Sequence, residues 1–129
     1  MGLDCFAAVG NQADGYTIMP ESLFENNKLC SGICSGICSG SNASFRGKVY
    51  NDYVEYVTGQ TLYADIIPNK VVKVMADKLT KFIEHFKRYD NYAFEATEAV
   101  YGVNMSEAEM LADWFNVVAD NDGVVLGWW

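Results

Sequence analysis

The sequence predicts an α+β fold: one compact domain over residues 1–129, three to four helices, and a small sheet formed by the N- and C-terminal strands. Three observations lead there. Leu3 to Val9 and Val124 to Trp129 are short apolar runs beside turn residues, the pattern of buried strands. Between them, apolar residues recur at helical spacing, most clearly from Asn69 to Arg88. The chain is 50% hydrophobic and 20% charged over 129 residues, enough to bury a core in one domain. Terminal strands that pair would close such a domain; an all-helical bundle with extended ends is the alternative.

Taken in order, the first strand gives way to a loop over Asn11–Asn27. Asp14-Gly15 is a turn signal, Thr17–Met19 is briefly extended, Pro20 stops regular structure, and Glu21–Asn26 forms one helical turn. The chain is then organised around Leu29–Lys48, LCSGICSGICSGSNASFRGK. A Cys-Ser-Gly unit recurs there with period four, at Cys30, Cys34 and Cys38. A helix would align the three thiols, but each glycine costs about 1 kcal/mol against Ala, so the spacing predicts a loop.

Ser44 is the expected N-cap of the first helix, Val49, Tyr50, Tyr53, Val54 and Val57 are its apolar side, and Gly59 is its stop. A connector follows, anchored by Leu62, Tyr63, Ile66 and Ile67. Pro68 and Asn69 open the longest helix. Val71, Met75, Leu79, Phe82, Ile83 and Phe86 form its apolar stripe, and Lys73–Asp77, Asp77–Lys81 and Glu84–Arg88 are opposite charges four apart. A shorter helix spans Asp90–Tyr101 and ends near Gly102. Ser106 with Glu109 reads as a capping box, with Met105 and Met110 at the staple positions. Leu111, Trp114, Phe115 and Val118 line one side of that helix, and Asp120-Asn121-Asp122-Gly123 ends it.

A net charge of −8 argues against nucleic-acid polymers and anionic membranes, which need clustered Lys and Arg. Asp90 to Trp129 holds no Lys or Arg, while Asn69–Arg88 holds most of the basic residues. That asymmetry suits pairing of two elements, inside the fold or between subunits of an oligomer. The Met1-Gly-Leu-Asp start lacks a signal-peptide pattern and no stretch reaches membrane-spanning length, so the expectation is a cytoplasmic protein with reduced cysteines.

The candidate ligand site is Ser44-Phe45-Arg46-Gly47-Lys48 with Tyr50. A Gly/Ser-rich loop running into a helix start offers bare N–H groups and a positive dipole end. Arg46 and Lys48 would neutralise a small, nucleotide-like anion, and Phe45 and Tyr50 would stack on a base. The phosphate-loop pattern is not met, since Val49 follows Lys48. The opposing expectation is that both cations pair with carboxylates of the acidic C-terminal region.

A second candidate surface is acidic and aromatic: Glu107, Glu109, Asp113, Trp128 and Trp129, suited to occupying the basic site of a host protein. Metal is the third reading, with Cys5 as a fourth thiolate beside Cys30, Cys34 and Cys38. C-x3-C-x3-C is not a zinc spacing, and the only histidine is His85, on a charged helix. No metal or other cofactor is therefore expected. The calcium-loop pattern fails at Val118 and Trp129. One histidine, no G-x-S-x-G elbow and no isolated acid pair argue against an enzyme.

Three short motifs carry a resemblance: Met1–Cys5 (MGLDC), the F-R-G-x-x-Y element at Phe45–Tyr50, and an A-D-x-G-x-V motif, matched at Ala119–Val125 with one residue more (ADNDGVV). In these the chain resembles a group of small uncharacterised proteins of bacterial and bacteriophage genomes. The resemblance implies a phage or mobile-element setting and no particular reaction. The relatives' plainer Gly/Ser loop also speaks against a metal role for the three repeat cysteines.

Overall fold

A computed structural model describes residues 2–24, 43–89 and 94–129. The fold is α+β, with the two terminal strands side by side at the centre of an antiparallel sheet. In chain order the elements are β1 (Asp4–Asn11), β2 (Gly15–Ile18), a 3₁₀ turn (Glu21–Phe24), β3 (Ser44–Arg46), α1 (Gly47–Thr58), β4 (Ile66–Ile67), α2 (Asn69–Tyr89), α3 (Phe94–Tyr101), α4 (Met105–Asp120) and β5 (Val124–Trp128). The Cys-Ser-Gly repeat lies outside the described residues.

The sheet order is β2-β1-β5-β4, and β3 also pairs with β1. One edge of β1 receives β5 along Asp4–Ala8. The other edge is shared: β3 takes Asp4–Phe6 and β2 takes Ala8–Asn11. Directly opposed residues share a face, so the register sorts the strands into two sets. Cys5, Ala7, Phe45, Ile67 and Val125 face inward and belong to the main core cluster. Asp4, Phe6, Arg46, Ile66, Leu126 and Trp128 form the opposite face, outside that cluster.

The inward set packs against the helices. Phe45 meets Trp114 of α4 edge-on at 4.7 Å between ring centres, and Phe24 lies 5.7 Å from the same Trp114. A second aromatic group joins Tyr53, Phe82, Phe86 and Phe94 where α1, α2 and α3 converge. Such rings bury much area each and prefer these edge-on arrangements.

Helix boundaries have local causes. Gly59 stops α1 in the left-handed region at φ 78°, its N–H reaching Glu55 O at 2.8 Å. Asn51 holds the following connector by accepting from Leu62 N–H at 2.8 Å. Asn69 donates to Gly123 O at 2.8 Å, tying the start of α2 to the end of α4. The capping box of α4 sits two residues earlier than the sequence predicts. Asn104 caps Glu107 N–H at 2.8 Å, and Glu107 reaches back to Asn104 N–H at 3.3 Å. Asn accepts as well as Ser at an N-cap, and Ser106 lies inside the helix.

The charge asymmetry pairs elements within the fold. Lys87 of α2 bonds Glu109 of α4 at 2.6 Å, and Lys73 lies 4.0 Å from Asp122. Of the three expected pairs along α2, Asp77–Lys81 forms at 2.9 Å. Lys73 turns to Asp122 instead, and no ion pair joins Glu84 and Arg88 among the described residues.

Candidate functional site

Residues 44–50 form a strand-to-helix junction and not a loop leading to a capped helix. Ser44 is a buried strand residue, paired across from Phe6. The N-cap position of α1 falls to Arg46, whose side chain makes no capping bond. The first helical N–H, that of Gly47, is engaged by Leu3 O at 2.8 Å. Gly47 is needed for a further reason: a Cβ there would stand 2.6 Å from Cys5 Sγ and 2.8 Å from Leu3 Cδ2. The helix start is therefore pressed onto β1, and only a residue without a side chain allows the approach.

Burial corrects the expected roles of the two rings. Phe45 and Tyr50 are fully buried, 5.9 Å apart edge-on, with Phe45 also against Trp114. The Tyr50 hydroxyl donates to Glu107 Oε2 at 2.9 Å. Neither ring offers a surface for a base to stack on. The alternation that places Ser44 and Arg46 on one side of β3 sends Phe45 into the core.

Arg46 and Lys48 stand apart from this. Arg46 is half-buried and Lys48 exposed. The Arg46 guanidinium reaches the segment before β1, with Nη2 3.5 Å from where a Cβ on Gly2 would lie. Among the described residues neither cation forms an ion pair. Three clefts built from described residues border α2, and none of them includes residues 44–48.

The acidic set is also divided. Glu107 is held by Tyr50 and by its own helix cap, and Glu109 by Lys87. Both serve internal contacts. Asp113 is exposed and lines an open cleft of about 220 Å³ between α2 and α4 with Glu84, Lys87, Glu109 and Asn116. Partial burial and the charge of Glu109 push its carboxyl above the ordinary value, and Lys87 opposes the shift.

At the end of β5 the aromatic residues are open. Trp128 is 56% exposed, Trp129 47%, and Tyr63 39%. Tyr63 and Trp129 meet edge-on at 5.7 Å, making one corner from the connector after α1 and the C-terminal strand. The sequence marks Tyr63 only as an anchor. The close approach of this connector to β5 depends on Gly127, where a Cβ would stand 2.3 Å from Ala64 O and 3.2 Å from the Trp129 ring. Two adjacent signals, Gly127 before a Trp pair and Leu62-Tyr63 after Gly59, are visible in the sequence, but their meeting is not.

Cys5 is buried on the inward face, with its thiol pushed well above the usual range by burial and by the charge of Asp4. Cys30, Cys34 and Cys38 lie outside the described residues. Among the described residues no group of three metal-ligating side chains comes together, and no helix is long and apolar enough to cross a membrane. No family model, curated protein or solved structure matches the chain.

Proposed function

We propose that this is a non-catalytic interaction protein, of the phage or mobile-element kind the resemblance implies, that binds a host protein through the corner formed by Tyr63 and Trp129. The observation that carries the reading is the exposure of these two rings beside Trp128 at the end of an otherwise well-packed strand. Trp and Tyr supply large contact area with little side-chain entropy to lose, and they are enriched where binding energy concentrates. Of the acids expected to share the work, Asp113 forms no ion pair or side-chain hydrogen bond among the described residues; Glu107 and Glu109 act in the fold.

The test is capture from a lysate of the bacterial host, with wild type, Tyr63→Ala, Trp129→Ala and Arg46→Ala side by side. A partner retained by wild type and Arg46→Ala, and lost by both aromatic variants, supports the reading. Equal capture by all four ends it.

A second reading keeps Arg46 and Lys48 as an anion site without aromatic stacking. It is favoured by two cations that have no ion-pair partner among the described residues of a chain with net charge −8. A thermal-shift series with inorganic phosphate and mononucleotides tests it. Stabilisation that Arg46→Ala removes is the expected result, and no shift with any of them rejects it.

A further inference from the structure

We infer that the cleft between the end of α1 and the first turns of α2 binds a small amphipathic anion, a carboxylate that carries an apolar chain or ring. Residues 58–60 form one wall, and Lys70, Val71, Val74 and Met75 form the other. The cleft holds about 440 Å³, inside the range of about 300–1,000 Å³ common to small-molecule sites. Its α2 wall is apolar: Met75 is buried, Val71 half-buried and Val74 53% exposed. Val74 takes no part in the core packing of α2, and valine is a weaker helix former than the charged residues usual at an outer position. The polar groups of the α1 wall are already engaged. Thr58 Oγ1 donates to Val54 O at 2.7 Å and accepts from Gln60 N–H at 3.1 Å. Gln60 Nε2 donates to Thr61 O at 3.1 Å.

Charge selects the ligand. Of the residues that line the cleft, Lys70 alone is charged, and among the described residues it forms no ion pair. The first turn of α2 holds no acid, so the helix dipole adds to the ammonium there and nothing local offsets either. Lys70, Val74 and Lys78 follow one another at four-residue spacing along one ridge of the helix. Lys78 is spent on Thr58 O at 3.3 Å, which ties the two walls together beyond Val74. The ridge thus sets an ammonium at one end of an apolar surface. A carboxylate on Lys70 would lay its chain over Val74 and Val71 toward Met75. A cation would be repelled by Lys70, and a neutral chain would gain nothing from it. The site is separate from the Tyr63–Trp129 corner and from Arg46 and Lys48, none of which lines it.

The test follows backbone amide shifts by NMR in the full chain titrated with butanoate, octanoate, 1-octanol and octylammonium to about 10 mM, which reaches millimolar dissociation constants. Octanoate should move residues 58–60 and 70–75. It should bind tighter than butanoate, each methylene that enters the cleft contributing up to about fourfold. It should also bind tighter than octanol by about two- to fivefold, the worth of one exposed ion pair. Octylammonium should bind weakest, although the chain carries −8 overall. Lys70→Gln should bring octanoate down to the level of octanol and leave octanol unchanged. Val74→Ser should weaken both by about threefold or more. Both substitutions fall at exposed positions. An octanoate titration that leaves residues 58–60 and 70–75 unmoved overturns the inference. So does octanoate no tighter than butanoate, or octylammonium as tight as octanoate. An octanoate response that Lys70→Gln leaves intact, or that Arg46→Ala removes, places binding elsewhere and also overturns it. The chain-length and charge series use the wild type alone and decide the matter even if a variant fails to fold.

Discussion

Two helices begin close together and are started in opposite ways. The N-terminus of α4 is closed by its own side chains, Asn104 and Glu107 bonding each other's backbone. The N-terminus of α1 has no side-chain cap; its first N–H is held by Leu3 O of the segment entering β1, and its glycine is pressed against Cys5. The Tyr50–Glu107 bond links the two starts. A locally capped helix is specified by a few neighbouring residues. A helix begun by contact with a sheet is specified by residues some forty positions away, and its Ser and Gly sit where strand pairing and close packing place them.

The largest test of this contrast is Phe45→Ala. Phe45 is the buried strand residue that locks the α1 start to Trp114 and Phe115, so its loss should destabilise the protein by about 3–5 kcal/mol, read from a denaturant titration. Breaking the α4 start should have a smaller effect: Asn104→Ala is expected to cost about 1 kcal/mol. Arg46→Ala, at the equivalent position of α1, should leave stability nearly unchanged, because no capping bond is lost. If Arg46→Ala proved as damaging as Asn104→Ala, the two starts would not differ as described. The finest comparison lies within α1. Tyr50→Phe removes a hydroxyl bonded to Glu107 and should cost about 1 kcal/mol. Tyr53→Phe removes a buried hydroxyl that has no partner among the described residues, and should be neutral or mildly stabilising. Melting temperatures of the two variants, measured together, should fall for Tyr50→Phe and hold or rise for Tyr53→Phe.

The architecture was legible where pattern and structure share a cause. Apolar runs at both ends became β1 and β5, and the stripe from Val71 to Phe86 became the packed side of α2. Gly59 and the Asp120–Gly123 turn end their helices as their residue types require. The candidate ligand site was less legible. Ser44-Phe45-Arg46 reads as an N-cap and first turn because three-residue strands carry no periodicity of their own. Its strand character comes from pairing with Asp4–Phe6, a contact no local window contains. The same limit hid the internal roles of Glu107 and Glu109. Glu107 looks like a free acid along α4 and Glu109 like a capping-box residue, and their partners Tyr50 and Lys87 come from α1 and α2.

The closeness of Gly47 to Cys5 gives the molecule a built-in clock. The thiol is sealed under the first turn of α1, and burial together with Asp4 disfavours its thiolate, the form that reacts. An alkylating reagent should therefore reach Cys5 only when the N-terminal strand peels away, and its rate of modification, followed by peptide mass spectrometry, would time that opening directly.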